Sequence, residues 1–192
     1  MRLSPVKRLV LETMWVLSKP TRAVDIAREV GLGFPSVMMH IIGLNKMGYV
    51  ERPEKGCYVI TDQGKRALGF PEVDGTMATQ ILGYLPAEKT FHFYADVGKP
   101  LNVFAASLQD FCDKIQEIDT GSIEFHVRRG DFQAWFTELG DVELARKTLL
   151  IKERQISGED LRKKLYETIK NRHEDLLKRR KYEMELADQN SG

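Results

Sequence analysis

Cysteine is scarce in this chain. Its 192 residues hold two, Cys57 and Cys112, set in neither a CxxC pair nor a histidine spacing that a metal site uses. A disulfide scaffold and a zinc module therefore have no support. Both residues are expected to be buried and reduced, as in a cytoplasmic protein. Long apolar runs are missing too, so no segment is fit to span a membrane, and no charged-then-apolar leader is seen. Histidines and carboxylates show no HxH or HExxH pattern, and there is no internal repeat. Neither sign of charge dominates, with 29 Lys and Arg against 28 Asp and Glu.

The charges are nevertheless unevenly spread. Residues 1–70 carry 11 basic against 6 acidic side chains, residues 71–139 carry 5 against 11, and residues 140–192 carry 13 against 11. The basic first part suits nucleic acid, whereas the acidic middle is no phosphate-binding surface. The length allows two small domains, each able to bury a core. The breaker-rich run Gly69-Phe70-Pro71-Glu72-Val73-Asp74-Gly75 places the boundary between a domain over 1–70 and one over 76–192.

In the first domain, Pro5 to Leu17 is predicted as an amphipathic helix with Val6, Leu9, Val10, Thr13 and Leu17 on one side. Thr21 is placed to N-cap a second helix carrying Val24, Ile26, Ala27 and Val30 at helical spacing. Gly31 and Gly33 permit a sharp turn, and Pro35 suits the first turn of a third helix. There Val37, Ile41 and Leu44 share a face, with Gly48 as the stop. Tyr49 to Arg52 and Cys57 to Ile60 read as a hairpin, and Thr61 as the cap of a fourth helix. The spacing A-x-x-I-A-x-x-x-G-L, the exit L-x-x-x-G-Y-V and the return Y-x-I-T-x-x-G together resemble the winged helix-turn-helix domains of microbial transcription regulators. That resemblance implies a DNA-binding fold with Pro35 to Met47 as recognition helix.

In the second domain the reading gives a short helix over Ala78 to Leu85, then a strand at Phe91-His92-Phe93-Tyr94. A turn over Val97 to Pro100 leads to a return strand over Leu101 to Phe104. Ser122 to Arg129 fits either a strand or a helix, with Ser122 as cap and Gly130 as stop favouring the helix, and Ser107, Asp131, Asp141 and Ser157 read as openings of helices. The last of these is long, with Leu161, Leu165, Ile169 and Leu176 in one stripe, interrupted at Arg172. The FHF stretch, A-x-S-L, S-I-x-x-H, G-D-F-x-x-W, L-G-D-x-x-L-A and L-R-x-x-L resemble an uncharacterised archaeal and bacterial domain family across about residues 90–172. The resemblance brings no known activity. The fold class is thus mainly α with small β elements: a winged helix-turn-helix followed by a helical α+β domain with a long C-terminal helix.

With Val37, Ile41 and Leu44 inward, the third helix presents Met38, Met39, Ile42, Gly43 and Lys46. Base edges and phosphates demand donors and acceptors. Ser36, His40 and Lys46 on the helix, Arg22 at its approach and Arg52 and Lys55 on the hairpin are the candidates for nucleic acid. An exposed Met38–Met39–Ile42 patch equally fits a protein contact. His92, His126, Glu124, Asp96 and Asp131 invite a metal or acid–base reading that no ligand spacing supports, so no metal, cofactor or catalytic residue is expected. Phe132, Trp135 and Phe136 lie at core spacing rather than as a stacking platform. The stripe Leu161, Leu165, Ile169 and Leu176 could cover its own domain or pair with a second copy as a homodimer.

The function expected is a cytoplasmic, dimeric, nucleic-acid-associated regulator without enzymatic chemistry, DNA being favoured over ribosomal RNA. The alternative is a ribosome- or protein-docking factor that uses the apolar third helix.

Overall fold

In the computed structural model, which describes residues 3–190 and side chains through residue 185, the chain divides into two units, Met1–Glu72 and Val73–Gly192. The fold is mainly helical, with small antiparallel sheets and a long C-terminal helix.

The first unit begins with α1 (Pro5–Leu17), whose N-cap Ser4 accepts from the Lys7 amide. The buried face is Val10, Leu11, Met14 and Trp15, and Leu9 is exposed. This corrects the expected face. Two apolar stripes satisfy helical spacing, and the one holding the larger side chains is buried, with Trp15 stacked 4.5 Å from Phe70. Thr21 is also reassigned. It lies in β1 (Thr21–Arg22) opposite Tyr58, and α2 (Ala23–Val30) starts on Arg22 without a side-chain cap. Ile26 and Ala27 face inward, but Val24 is exposed.

Helix α3 (Phe34–Lys46) follows the turn, with Val37, Ile41 and Leu44 fully buried as their spacing predicts. Strands β2 (Val50–Glu54) and β3 (Cys57–Ile60) form the hairpin, and the sheet runs β1-β3-β2, all antiparallel. Thr61 caps α4 (Asp62–Leu68) by accepting from the Gly64 amide at 3.1 Å. Gly64 itself is required here. A Cβ at that position would run into the carbonyl oxygen of Tyr49, which is backbone and cannot swing aside.

The second unit starts at α5 (Gly75–Ile81), three residues earlier than its spacing suggests, because Asp74 caps it by accepting from Met77. Strands β4 (Phe91–Asp96) and β5 (Lys99–Ala105) pair antiparallel around a tight turn at Val97-Gly98. Four helices follow: α6 (Leu108–Glu117), α7 (Thr120–Arg129), α8 (Asp131–Glu138) and α9 (Val142–Glu153). Helix α10 (Gly158–Asn190) then packs along α5, α6, α7 and α9. Between them lies an aromatic core in which Phe91, Phe93, Phe111, Phe132, Trp135 and Phe136 meet at centroid separations from 4.9 Å.

Leu161, Leu165, Ile169 and Leu176 are buried in this same core. Each contributes about 1.5–3 kcal/mol within its own chain. The stripe assigned to dimerisation is thus used up inside one protomer and offers no face to a second. Arg172, which interrupts it, is 3% exposed. It donates to Asp141 at 2.8 Å, to Glu143 at 2.9 Å and to Asp175 at 3.0 Å. Asp141 serves twice, since its other oxygen caps α9 at the Leu144 amide. One Arg172 nitrogen, Nη2, is buried without a hydrogen-bond partner among the described residues. Among those residues no helix is long and apolar enough to cross a membrane.

Removing Arg172 leaves the buried Asp141 carboxylate without a cation among the described residues and Glu143 with Lys147, so Arg172→Met is expected to cost about 3 kcal/mol in urea unfolding. Adding Asp141→Asn and Glu143→Gln should recover much of that loss. Gly64→Ala should destabilise the first unit by about 1–3 kcal/mol through overpacking, read as a lower thermal midpoint for that unit.

Candidate functional site

Two places carry the residues singled out by sequence. The first is the outward side of α3 with the β2–β3 hairpin. Because the inward side is filled by Val37, Ile41 and Leu44, the opposite side is left to solvent: Met39 is 70% and Ile42 45% exposed. Met38 and His40 are half-buried on the flanks, and Ser36 and Lys46 are exposed towards its two ends. Arg52 and Lys55 are exposed on the hairpin. Lys46, Arg52 and Lys55 form no ion pair among the described residues, so their charges face solvent.

Arg22 differs. Its Nε donates to Asp25 at 3.0 Å, and Asp25 also pairs with Arg28 at 3.3 Å. Its cation is met locally, which holds the Asp25 carboxyl below its ordinary range. Sequence reasoning missed Lys7. Its Nζ lies over Gly43, where an added Cβ would come within 3.4 Å, so α1 supplies a cation to the outward side of α3. The only local signal was the bare glycine. Phe34, Leu32 and Val24 are further exposed apolar side chains in the α2–α3 segment.

The second place is the open edge of β4. Tyr94 has both backbone groups turned away from β5 towards α7. Its N–H donates to His126 Nε2 at 2.9 Å, and its carbonyl accepts from Ser122 Oγ at 2.8 Å. Ser122 and His126 sit one helical turn apart, so one face of α7 clamps one residue of the strand. An imidazole nitrogen that accepts an amide proton must itself be unprotonated. His126 is therefore the neutral Nδ1–H tautomer, and Nδ1 donates to Asp131 at 2.8 Å. Asp131 also accepts from Arg129 Nε at 3.0 Å. Asp131 is thus no N-cap, since Gly130 occupies that position. Burial, opposed by Asp131, pulls the His126 pKa below its ordinary value.

The remaining candidates are spread out. Glu124 accepts from the Gly158 amide at the start of α10. His92 is exposed beside Thr90, and Asp96 accepts from Val97 in the hairpin turn. Among the described residues no three His, Cys, Asp or Glu side chains gather in a way that could hold a metal ion. Phe132, Trp135 and Phe136 are core residues. Both cysteines are free thiols: Cys57 is half-buried in β3, while Cys112 is buried in α6 with its thiol pushed up to about 11.

Residues 74–170 match a family described as "Family of unknown function (DUF5752)", just over half of the chain. The chain belongs to this family. No curated protein and no solved structure proved similar to it. Within the DUF5752 segment the apolar motif residues fill the core, and the polar ones mostly act by hydrogen bonding to backbone. Ser107 caps α6, and Trp135 Nε1 donates to the Lys89 carbonyl at 2.9 Å. Arg162 donates to the carbonyls of Ile115 and Ile118, each at 2.7 Å, closing the end of α6. With Ser122 and His126 on Tyr94, these residues hold the family fold together.

The lowered His126 pKa has a definite pH signature. The unfolded chain takes up a proton near the ordinary value of 6.5, and the folded chain resists until lower pH. Stability should be full above that value and decline as pH falls through the window beneath it. His173, also lowered by burial, adds in the same direction. Urea midpoints from about pH 7.5 to about pH 5 should fall, and His126→Gln should flatten the decline more than His173→Gln does.

Proposed function

We propose that Met1–Glu72 is a winged helix-turn-helix module, that it binds nucleic acid with duplex DNA as the favoured target, and that the protein is a non-catalytic regulator. The observation that carries this reading is the outward side of α3, unused by its own unit and accompanied by a hairpin whose Arg52 and Lys55 are exposed and unpaired among the described residues. A helix of this kind fits the major groove, and a hairpin beside it reaches the adjacent phosphates. Lys46 and Lys7 add charge on and beside the helix.

The apolar content of α3 sets the character of the binding. Met39 and Ile42 offer thymine methyls a contact surface but no hydrogen bonds. Phosphate contacts then supply most of the affinity, and sequence selectivity is modest. The absence of enzymatic chemistry is supported by His126, whose two ring nitrogens are both engaged by the protein. A second reading is favoured by one observation, the 70% exposure of Met39. In it the same face docks on a protein or ribosomal surface, with the basic residues touching RNA phosphates.

A salt series separates the two. If Lys46, Arg52 and Lys55 each hold a phosphate, log affinity for duplex DNA should fall against log salt with a slope near ~2.7, and Arg52→Ala should remove about 0.9 of it. Met39→Glu should weaken DNA binding only modestly. Salt-insensitive association with ribosomes that Met39→Glu abolishes, beside weak and unselective DNA binding, would overturn the DNA reading.

A further inference from the structure

The clamp on Tyr94 ties α7 to β4 at a single residue. Beyond it, the hairpin tip and the C-terminal end of α7 leave a cavity of about 300 Å³ in the DUF5752 segment. This is at the small end of ligand pockets, with room for a molecule of one or two rings. Tyr94, Val97 and Phe125 give it apolar walls, and Asp96, Arg129 and Asp131 provide its polar groups.

The hydrogen-bonding capacity of those polar groups is unequally spent. Asp131 already accepts from His126 and from Arg129, and Asp96 accepts from Val97 and pairs with Lys99 at 3.6 Å. The Tyr94 carbonyl is taken by Ser122, and both His126 nitrogens are engaged. Arg129 has the most left over, beside one ring nitrogen of His92 and the Tyr94 hydroxyl. Its Nε is used on Asp131 and its guanidinium carbon lies 5.1 Å above the Phe125 ring. The two terminal Nη groups have no partner among the described residues. A ligand that brings acceptors therefore finds charged donors open to it at Arg129. Arg129 with Lys99 balances Asp131 with Asp96 in charge, which suits a singly charged, flat carboxylate on the guanidinium fork better than a doubly charged phosphate.

We infer that this cavity is a binding site for a small planar carboxylate, its acid group on the Arg129 Nη pair and its ring against Tyr94, Val97 and Phe125. Arg129 is the specificity determinant, and Asp131 positions it through Nε. Because Asp131 also holds His126, occupancy of the site bears on the same chain of bonds that fixes the edge of β4. The site stands apart from the nucleic-acid reading and is tested without nucleic acid.

The test is calorimetric titration of the full chain with indole-3-carboxylate, and with indole-3-carboxamide as the uncharged isostere. The carboxylate should bind at one site per chain, and the carboxamide about tenfold more weakly or worse. Arg129→Gln should weaken the carboxylate by at least about tenfold, while Arg128→Gln, an exposed neighbour that does not line the cavity, should leave it within about twofold. Val97→Trp, at an exposed turn position that tolerates bulk, should fill the cavity and abolish binding with the thermal midpoint preserved. The inference is overturned by absence of saturable carboxylate binding at millimolar concentration, by equal affinity for the carboxamide, or by an Arg129→Gln variant that binds like the parent.

Discussion

A two-stranded sheet has two open edges, and burying one of them without partners for its amides and carbonyls costs more than the sheet's own pairing returns. In Val73–Gly192 that constraint falls on Tyr94, and the chain answers it with Ser122 and His126 from α7. Much follows from this answer. It places α7 beside β4, brings Phe91 and Phe93 against Phe111 and Phe132, and requires a neutral imidazole with Asp131 behind it. A histidine with a carboxylate at 2.8 Å has the outline of a catalytic pair. Here its outer nitrogen is already occupied by an amide, so the imidazole has no free basic nitrogen to offer a substrate. The same geometry that excludes this chemistry explains why the histidine is there.

Arg172 makes the complementary argument for α10. A helix of this length needs its orientation fixed, and apolar side chains alone tolerate sliding by a turn. A guanidinium set against Asp141 and Glu143 at the start of α9 does not. Asp141 joins the two tasks, capping α9 with one oxygen and anchoring α10 with the other. Pairing is not complete, since Nη2 has no partner among the described residues, and that leftover donor is a cost of setting the guanidinium there.

Features governed by neighbours in sequence were the legible ones. The hairpin after Gly48, the Thr61 cap and the Asp141 cap depend on contacts within about ten residues, and the buried side of α3 follows from the helical spacing of Val37, Ile41 and Leu44. Where two local solutions competed, the sequence could not arbitrate. The face of α1 was decided by the stacking of Trp15 on Phe70, more than fifty positions away. Thr21 was claimed by Tyr58 across a sheet, and Asp131 by His126, whose demand arises only once Tyr94 is beside it. The stripe on α10 reads alike whether it covers its own core or a second copy. Of the candidate nucleic-acid residues, Lys46, Arg52 and Lys55 stand exposed as anticipated, whereas the local pairing of Arg22 and the reach of Lys7 are three-dimensional facts. The cavity at Arg129 had no sequence signal, because it is defined by which bonds are already made.

The scarcity of cysteine acquires a use once the fold is known. Each unit holds one thiol, Cys57 half-buried in the first and Cys112 sealed inside the second. A thiol held at about 11 is thiolate in roughly one molecule in ten thousand at neutral pH, and the aromatic core bars reagents from it as well. Alkylation of Cys112 therefore proceeds only through transient openings of the DUF5752 core, and its rate counts them. Cys57, half-buried rather than sealed, needs no such opening and serves as the reference. The chain thus carries a chemical clock for its second unit and a built-in control in its first, with no label to be engineered.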